Sequence, residues 1–370
     1  MQFTTHVDTL LDSLSIVTRA LASRAARPIL EGVLIQADGD SVTLTCSDGR
    51  MSMESTVPAE VKKPGQTVVP GRLLNDLIRR LPGGEVSLRL ADAGRLQVTC
   101  LSSRSSIAAQ SAAEYPDMPV IRKRMELTMP QKELRRMIGG AVFAIATDES
   151  RQLLTGCLME MTANEVRVVA LDGFRLAMQT CEQKNELPAG TEKYRAVVPG
   201  RMMNEIARVL PDSEDPCTLA FDGSHVILTF GSVKVSSVLL QGEFIDYERI
   251  IPATFATETM ADKGMVTEAI DRASLMAREG RNNLVKFHVT EDAIAITSNA
   301  EMGEIHEELT CATVGQPIDI AFNAKYLSDA LRNMEDDQVC FCFNSPVSPS
   351  VIRPKDSKKS VYLVLPVRTF

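Results

Sequence analysis

The chain has 370 residues, with 40 basic against 48 acidic side chains, a net charge of −8, 44% hydrophobic residues and 24% charged residues. That balance excludes a disordered polypeptide, and no apolar run approaches the roughly 20 residues that a bilayer-spanning helix requires. The length allows two or three domains, each with its own core. The opening "MQFTTHVDTLLDSL" lacks a basic stretch followed by an apolar one, so no signal peptide is expected. The eight cysteines form no C-x-x-C pair, and Cys340 and Cys342 come nearest to one. They read as small apolar core fillers in a reducing compartment.

Taken in chain order, the elements repeat. "QFTTHVDTLLDSLSIVTRAL" predicts a strand and then a helix, and "VTLTCSDGRMSME" predicts two strands joined by a turn. "VVPGRLLNDLIRRLPGG" follows, from Val68 to Gly84. Leu73, Leu74, Leu77, Ile78 and Leu81 share one helical face, Arg72, Asn75, Asp76, Arg79 and Arg80 the other, and Pro-Gly pairs stand at both ends. "RLQVTCLSSRSSIAAQSAAEYPDMP" then predicts a hairpin and a Glu-aromatic-x-Asp corner, Glu114 to Asp117.

The same series begins again at "MELTMPQKELRRMIGGAVFAI" and continues through "VRVVALDGFRLAM" to "VVPGRMMNEIARVLPDS" at Val197. Nine of the first fifteen residues of that last stretch are identical to those at Val68. "HVILTFGSVKVSSVLLQGEFIDYERIIP" closes the series, with the corner now at Glu243 to Asp246. A third series opens at "GMVTEAIDRASLMAREG" and passes through "IAITSNAEMGEI" to "AFNAKYLSDALRNME". There Tyr326, Leu327, Ala330, Leu331 and Met334 keep the apolar register without sequence identity. "QVCFCFNSPVSPSVIRP" and a final strand "SVYLVLPVRTF" complete it. The expected organisation is therefore three similar α+β domains, 1–121, 122–253 and 254–370, each with two helices on antiparallel sheets.

Charge is unevenly distributed over these elements. The six predicted helices together carry about +4, which leaves about −12 for strands and loops. This is the signature of helices sharing a surface that faces a polyanion while the sheets face away, although solvated helix faces would give the same count. No G-x-G-x-x-G, Walker-type, G-x-S-x-G or H-E-x-x-H motif is present, and the four histidines (His6, His225, His288, His306) share no ligand spacing. The expectation is a non-enzyme without cofactor or metal.

The triplicated unit, "LDGFRLA" in the middle third, "GEFIDYERIIP" at its close and the C-terminal "YLVLPVR" resemble the bacterial β sliding clamp family, the beta subunits of DNA polymerase III, over the whole chain and in order. The resemblance implies a head-to-tail homodimeric ring around double-stranded DNA, with helices inside and sheets outside. It implies a cytoplasmic, nucleoid-associated processivity factor that tethers the replicative DNA polymerase catalytic subunit, meets the clamp loader and takes other clamp-binding-peptide proteins. A repeat-built protein-binding scaffold without DNA in its centre is the alternative. The implied peptide pocket comprises Leu154, Gly173, Phe174, Arg175, Leu176, Ile245, Arg249, Ile250, Asn323, Tyr326, Val347, Leu365, Pro366, Val367 and Arg368. The implied DNA-binding residues are Arg24, Arg72, Arg151 and Arg201, with Arg79, Lys132, Arg135, Arg136 and Lys325 as weaker members. The implied dimer interface sets Leu77, Arg104 and Ile107 against Leu275, Met276, Glu301 and Glu304.

The chain departs from the family pattern at three places. The family usually reads Thr-Asp-Gly-His-Arg-Leu where Leu171 and Phe174 stand here, and proline where Ile245 stands. Thr369 and Phe370 extend beyond the usual end. Together they predict a greasier pocket with altered peptide preference.

Overall fold

A computed structural model describes residues 1–22, 27–91, 94–280, 282–355 and 357–368. It contains the six predicted helices: α1 (Val7–Val17), α2 (Gly71–Arg79), α3 (Gln131–Val142), α4 (Gly200–Val209), α5 (Lys263–Glu279) and α6 (Ala324–Arg332). The repeated Pro-Gly at the start of α2 and α4 has a packing cause. A Cβ on Gly71 would lie 2.8 Å from Leu21 Cδ1, and one on Gly200 would lie 2.5 Å from the Thr155 carbonyl oxygen. In the third copy Asn323 caps α6 instead, its side chain accepting from Lys325 N at 3.0 Å.

The strands form four antiparallel sheets, and the chain divides into two compact units, residues 1–132 with 208–239 and residues 133–207 with 240–370. In the first unit, a five-stranded sheet ends on Ser103–Ala108. An eight-stranded sheet runs from Met125–Pro130 to Gly65–Pro70, and α1 packs on α2 and on the strands Ser41–Ser47 and Met51–Pro58. In the second unit, a nine-stranded sheet is accompanied by a four-stranded one that ends on Gly303–Thr310, with α5 packed on α6 and on the strand Ala293–Ala300. These units differ from the expected thirds because sheets continue across the third boundaries.

The continuation uses one register twice. In the first unit Met51–Pro58 pairs with Val233–Val238, Ser55 opposite Val233 and Met51 opposite Ser237. In the second unit Arg175–Glu182 pairs with Ser360–Val364, Gln179 opposite Ser360 and Arg175 opposite Val364. Ser55 and Gln179 hold the same place in the repeat, as do Val233 and Ser360. The last strand stops at Val364, short of the predicted extent, because Pro366 cannot donate to a ladder.

A buried amide secures the second of these ladders. Gln179 donates through Nε2 to the Gly140 carbonyl (3.1 Å) and to Tyr362 Oη (3.0 Å). Its Oε1 accepts from Arg136 Nη1 and from Ser360 Oγ, both at 2.9 Å. Burial pushes the Tyr362 phenol up to about 12, so it stays a neutral donor, and its hydroxyl donates to the Asn333 carbonyl at 3.0 Å. Gln179→Leu keeps the volume but strips four hydrogen bonds from a site closed to water. It should lower unfolding free energy by roughly 2–4 kcal/mol in urea denaturation, whereas a change below about 0.5 kcal/mol would mean the network is incidental.

Candidate functional site

Of the expected pocket residues, Gly173, Phe174, Arg175 and Tyr326 meet in the second unit at the turn joining Glu165–Leu171 to Arg175–Glu182. Asp172 Oδ1 accepts from the backbone N–H groups of Phe174 (2.8 Å) and Arg175 (3.0 Å), and Gly173 supplies the positive φ of +96° that this turn needs. The turn thereby lifts Phe174 into solvent at 61% exposure. Phe174 stacks on Tyr326 with centroids 6.4 Å apart and planes 21° from parallel. Leu171, expected to alter the pocket's polarity, is instead buried in the core beneath it.

Arg175 makes three hydrogen bonds within the fold. Its Nε donates to Asp172 Oδ2 (3.0 Å), Nη1 to Asp329 Oδ2 (2.5 Å) and Nη2 to the Phe143 carbonyl (2.7 Å). Its guanidinium also lies 4.7 Å from the Tyr326 ring centroid and 5.5 Å from that of Phe143. Three of its five N–H donors are thus engaged inside the fold, and the group positions Tyr326 and the turn. Asp172, Asp329 and Phe143 are the positioning residues that sequence reasoning missed. Only Asp172, standing before glycine in a turn, carried a local signal.

Leu154, Leu176, Ile250 and Leu365 contribute to one apolar cluster with Leu158, Val169, Tyr247 and Leu363, which makes the floor. The C-terminal segment is stitched on both sides, Leu365 N–H to the Phe174 carbonyl and Val367 N–H to the Ala321 carbonyl, each at 2.8 Å. Pro366 lies half-buried between them and Arg368 is exposed. Val347, Val367 and Arg368 border a separate groove of about 290 Å³, together with Phe287, His288, Asp319, Ile320 and Pro346 among others. Asn323 caps α6 through its side-chain oxygen. Ile245 and Arg249 are exposed, the latter paired to Asp246 at 2.9 Å. Thr369 and Phe370 lie outside the described residues.

Ile250 is held in place by a polar anchor that the sequence did not announce. Tyr247 Oη donates to Glu160 Oε1 at 2.8 Å, and Glu160, wholly buried, also takes Arg195 Nε at 2.6 Å. Arg167 Nη1 reaches Tyr247 Oη (3.2 Å) and Glu248 Oε1 (2.7 Å). Burial holds the Tyr247 phenol above its ordinary pKa, so it remains the donor to Glu160 at neutral pH.

The expected DNA-facing cations fall into groups. Arg72 and Arg79 are exposed on α2, Arg135 on α3 and Arg201 on α4, and Arg151 is exposed beside the Gly173 turn. Lys132 is paired with Glu214, and Lys325 with Asp329 at 2.9 Å. Arg136 points inward: it grips Glu133 (2.7 and 3.1 Å), Gln179 and the Thr180 carbonyl, and its hydrogen bond holds the Glu133 carboxyl below the usual range. It is a structural residue and not a phosphate contact. Arg24 lies outside the described residues.

Of the expected interface residues, Arg104 and Ile107 sit on the edge strand Ser103–Ala108, and Glu304 on the edge strand Gly303–Thr310 with Glu301 in its turn. Leu275 is exposed, while Met276 and Leu77 are half-buried. Ile107, expected at an apolar interface centre, is already 95% covered within its own unit, at 5% exposure.

Arg175→Lys should lower the melting temperature and cost roughly 2–4 kcal/mol, because lysine cannot satisfy Asp172, Asp329 and the Phe143 carbonyl together. Denaturant titration tests this, and an unchanged midpoint would show that the hub is dispensable.

The chain matches three family models in order. They are the N-terminal domain of the DNA polymerase III beta subunit at residues 1–119, its central domain at 128–246 and its C-terminal domain at 248–368. The beta sliding clamps of Staphylococcus epidermidis and Staphylococcus aureus are each 31% identical to it, with both chains covered completely. Among solved structures, the DNA polymerase sliding clamp of Bacillus subtilis superposes with a TM-score of 0.95 at 31% identity. A Pseudomonas aeruginosa sliding clamp bound to griselimycin superposes with 0.94 at 27%, each pair matching over the full length of both chains.

Proposed function

The chain belongs to the DNA polymerase III beta subunit, or beta sliding clamp, family, and we propose that two copies close head to tail into a ring that slides on duplex DNA and tethers the replicative polymerase. The ring is a processivity subunit and performs no catalysis of its own. One observation carries the assembly. Two of three equivalent strand pairings are made inside the chain, Met51–Pro58 with Val233–Val238 and Arg175–Glu182 with Ser360–Val364. The remaining equivalents, Gly303–Thr310 and Ser103–Ala108, are both left at sheet edges. Exposed edges demand a partner, and a second copy supplies the matching one.

Carrying the shared register over sets Arg104 opposite the second copy's His306, with Glu304 and Glu308 flanking it on the same face. All four side chains are exposed in the single chain. Arg104 takes the place in the repeat of Lys234, which pairs with Glu54 at 3.0 Å in the internal ladder. On the opposite face Ile107 meets Gly303 beside the half-buried Ile305, an apolar seam under a charged rim.

Sequence-independent DNA contact falls to the exposed Arg72, Arg79, Arg135, Arg151 and Arg201, with Lys132 and Lys325 contributing after exchange of their carboxylate partners. Each contact is small and salt-sensitive. The polymerase, the clamp loader and other partners dock peptides over the Phe174–Tyr326 stack and its apolar floor. No helix among the described residues is long and apolar enough to cross a membrane, and the ring works in the cytoplasm on nucleoid DNA. A scaffold binding proteins alone would leave the unpaired edges and the exposed arginines unaccounted for.

Loaded protein should stay on closed circular DNA in high salt and leave after linearisation; equal loss from both forms would sink the topological reading. Arg104→Glu should raise the dimer dissociation constant about tenfold or more, with partial recovery when Glu304→Arg is supplied in the second copy. Sedimentation that stays unchanged would refute the register. Phe174→His should shift the affinity of a standard clamp-binding peptide at least about threefold, by exchanging an apolar stacking surface for a polar ring. Identical isotherms would remove Phe174 from the site.

A further inference from the structure

Three neighbouring strands of the nine-stranded sheet, Thr257–Asp262, Gln338–Phe343 and Ser350–Pro354, place a set of metal-ligating side chains on one face. Glu258 stands directly opposite Cys342, and Cys340 opposite Arg353. Because Cys340 and Cys342 are two apart on one strand, their thiols project to the same side. The Sγ atoms lie 3.5 Å apart, and Glu258 Oε2 is 3.7 Å from Cys340 Sγ and 4.0 Å from Cys342 Sγ. Arg353 Nη2 donates to that same carboxylate oxygen at 2.7 Å.

We infer that Cys340, Cys342 and Glu258 form a binding site for a soft or borderline divalent ion of the zinc and cadmium class. A tetrahedral ion with sulfur at about 2.3 Å and oxygen at about 2.0 Å needs donor separations of roughly 3.5–3.8 Å, close to the three observed here. The fold has therefore assembled one triangular face of a tetrahedron, with the fourth position for water or an incoming ligand. Two thiolates and a carboxylate carry three negative charges against the ion's two positive ones. Arg353 supplies the balancing charge and orients the carboxylate. Both sulfurs are buried, but the Glu258 side chain is 41% exposed, so the ion enters from that side. The donor set selects against magnesium and calcium, which require oxygen ligands.

The position gives the ion a structural consequence. Cys340 and Cys342 belong to the same apolar cluster as Leu154, Leu176 and Leu365. An ion there staples the strands carrying Glu258 and the cysteines, directly beneath the floor of the candidate pocket. The assignment does not depend on the clamp reading; it rests on these side chains alone.

The test uses the reduced full-length protein titrated with cadmium chloride alone, followed by ultraviolet thiolate-to-cadmium charge-transfer absorption. One saturable equivalent per chain is expected, abolished in Cys342→Ser and weakened about tenfold or more in Glu258→Gln, with zinc displacing cadmium. Glu258→Gln alters a partly exposed side chain and keeps the fold testable. For the wild type, zinc should raise the melting temperature, and for Glu258→Gln at the same concentration the rise should disappear. A Cys181→Ser, Cys311→Ser double variant should retain the full band. Absence of a saturable band in the wild type, or an unchanged band in both site variants, overturns the assignment.

Discussion

Strand pairing between successive repeats is the constraint on which the rest of the structure depends. An α+β repeat of this kind ends in two sheet edges, and each edge carries backbone groups that must find partners. The chain meets this demand by joining the edge of one repeat to that of the next, in the same register both times. The candidate pocket is hung on one of those joints. The Phe174 turn is the loop of one strand that enters such a joint, the C-terminal segment leaves directly from the other, and Gln179 locks the two from beneath with four hydrogen bonds.

The candidate pocket illustrates how a rigid frame presents a soft surface. Nε, Nη1 and Nη2 of Arg175 each donate inward, and the Glu160–Tyr247–Arg167 anchor holds the backbone that carries Ile250. The side chains left facing outward include the apolar Phe174, part of Tyr326 and Ile245, beside the exposed Arg151, Arg249 and Arg368. Phe174 gives this surface an exposed apolar ring stacked on Tyr326.

Much of this was legible in the sequence, because periodicity and repetition survive in one dimension. The six helices, the hairpins and even the third copy, where identity is gone, followed from the spacing of apolar residues. Partner choice across strands did not. Arg136 reads as a basic helix residue like Arg135, yet one position of helical rotation turns it from solvent toward Glu133 and Gln179. Asn323 sits on a predicted element but serves as a helix cap, and Ile107 is already largely covered within its own unit. Glu160 gave no signal, since a lone glutamate in an apolar strand reveals nothing of the Tyr247 and Arg195 that neutralise it from distant segments. Cys340 and Cys342 looked like fillers until the strand beside them delivered a carboxylate.

Asp329 has a consequence beyond holding the hub. One of its oxygens accepts both from Arg175, under the pocket, and from Lys325, on the exposed face of α6. Two cations sharing one acceptor have interdependent free energies: anything that draws Lys325 off leaves the carboxylate wholly to Arg175, and anything that loosens Arg175 strengthens the hold on Lys325. Linkage makes that exchange reciprocal, so the hold on Arg175 and the hold on Lys325 are thermodynamically coupled through a single oxygen atom.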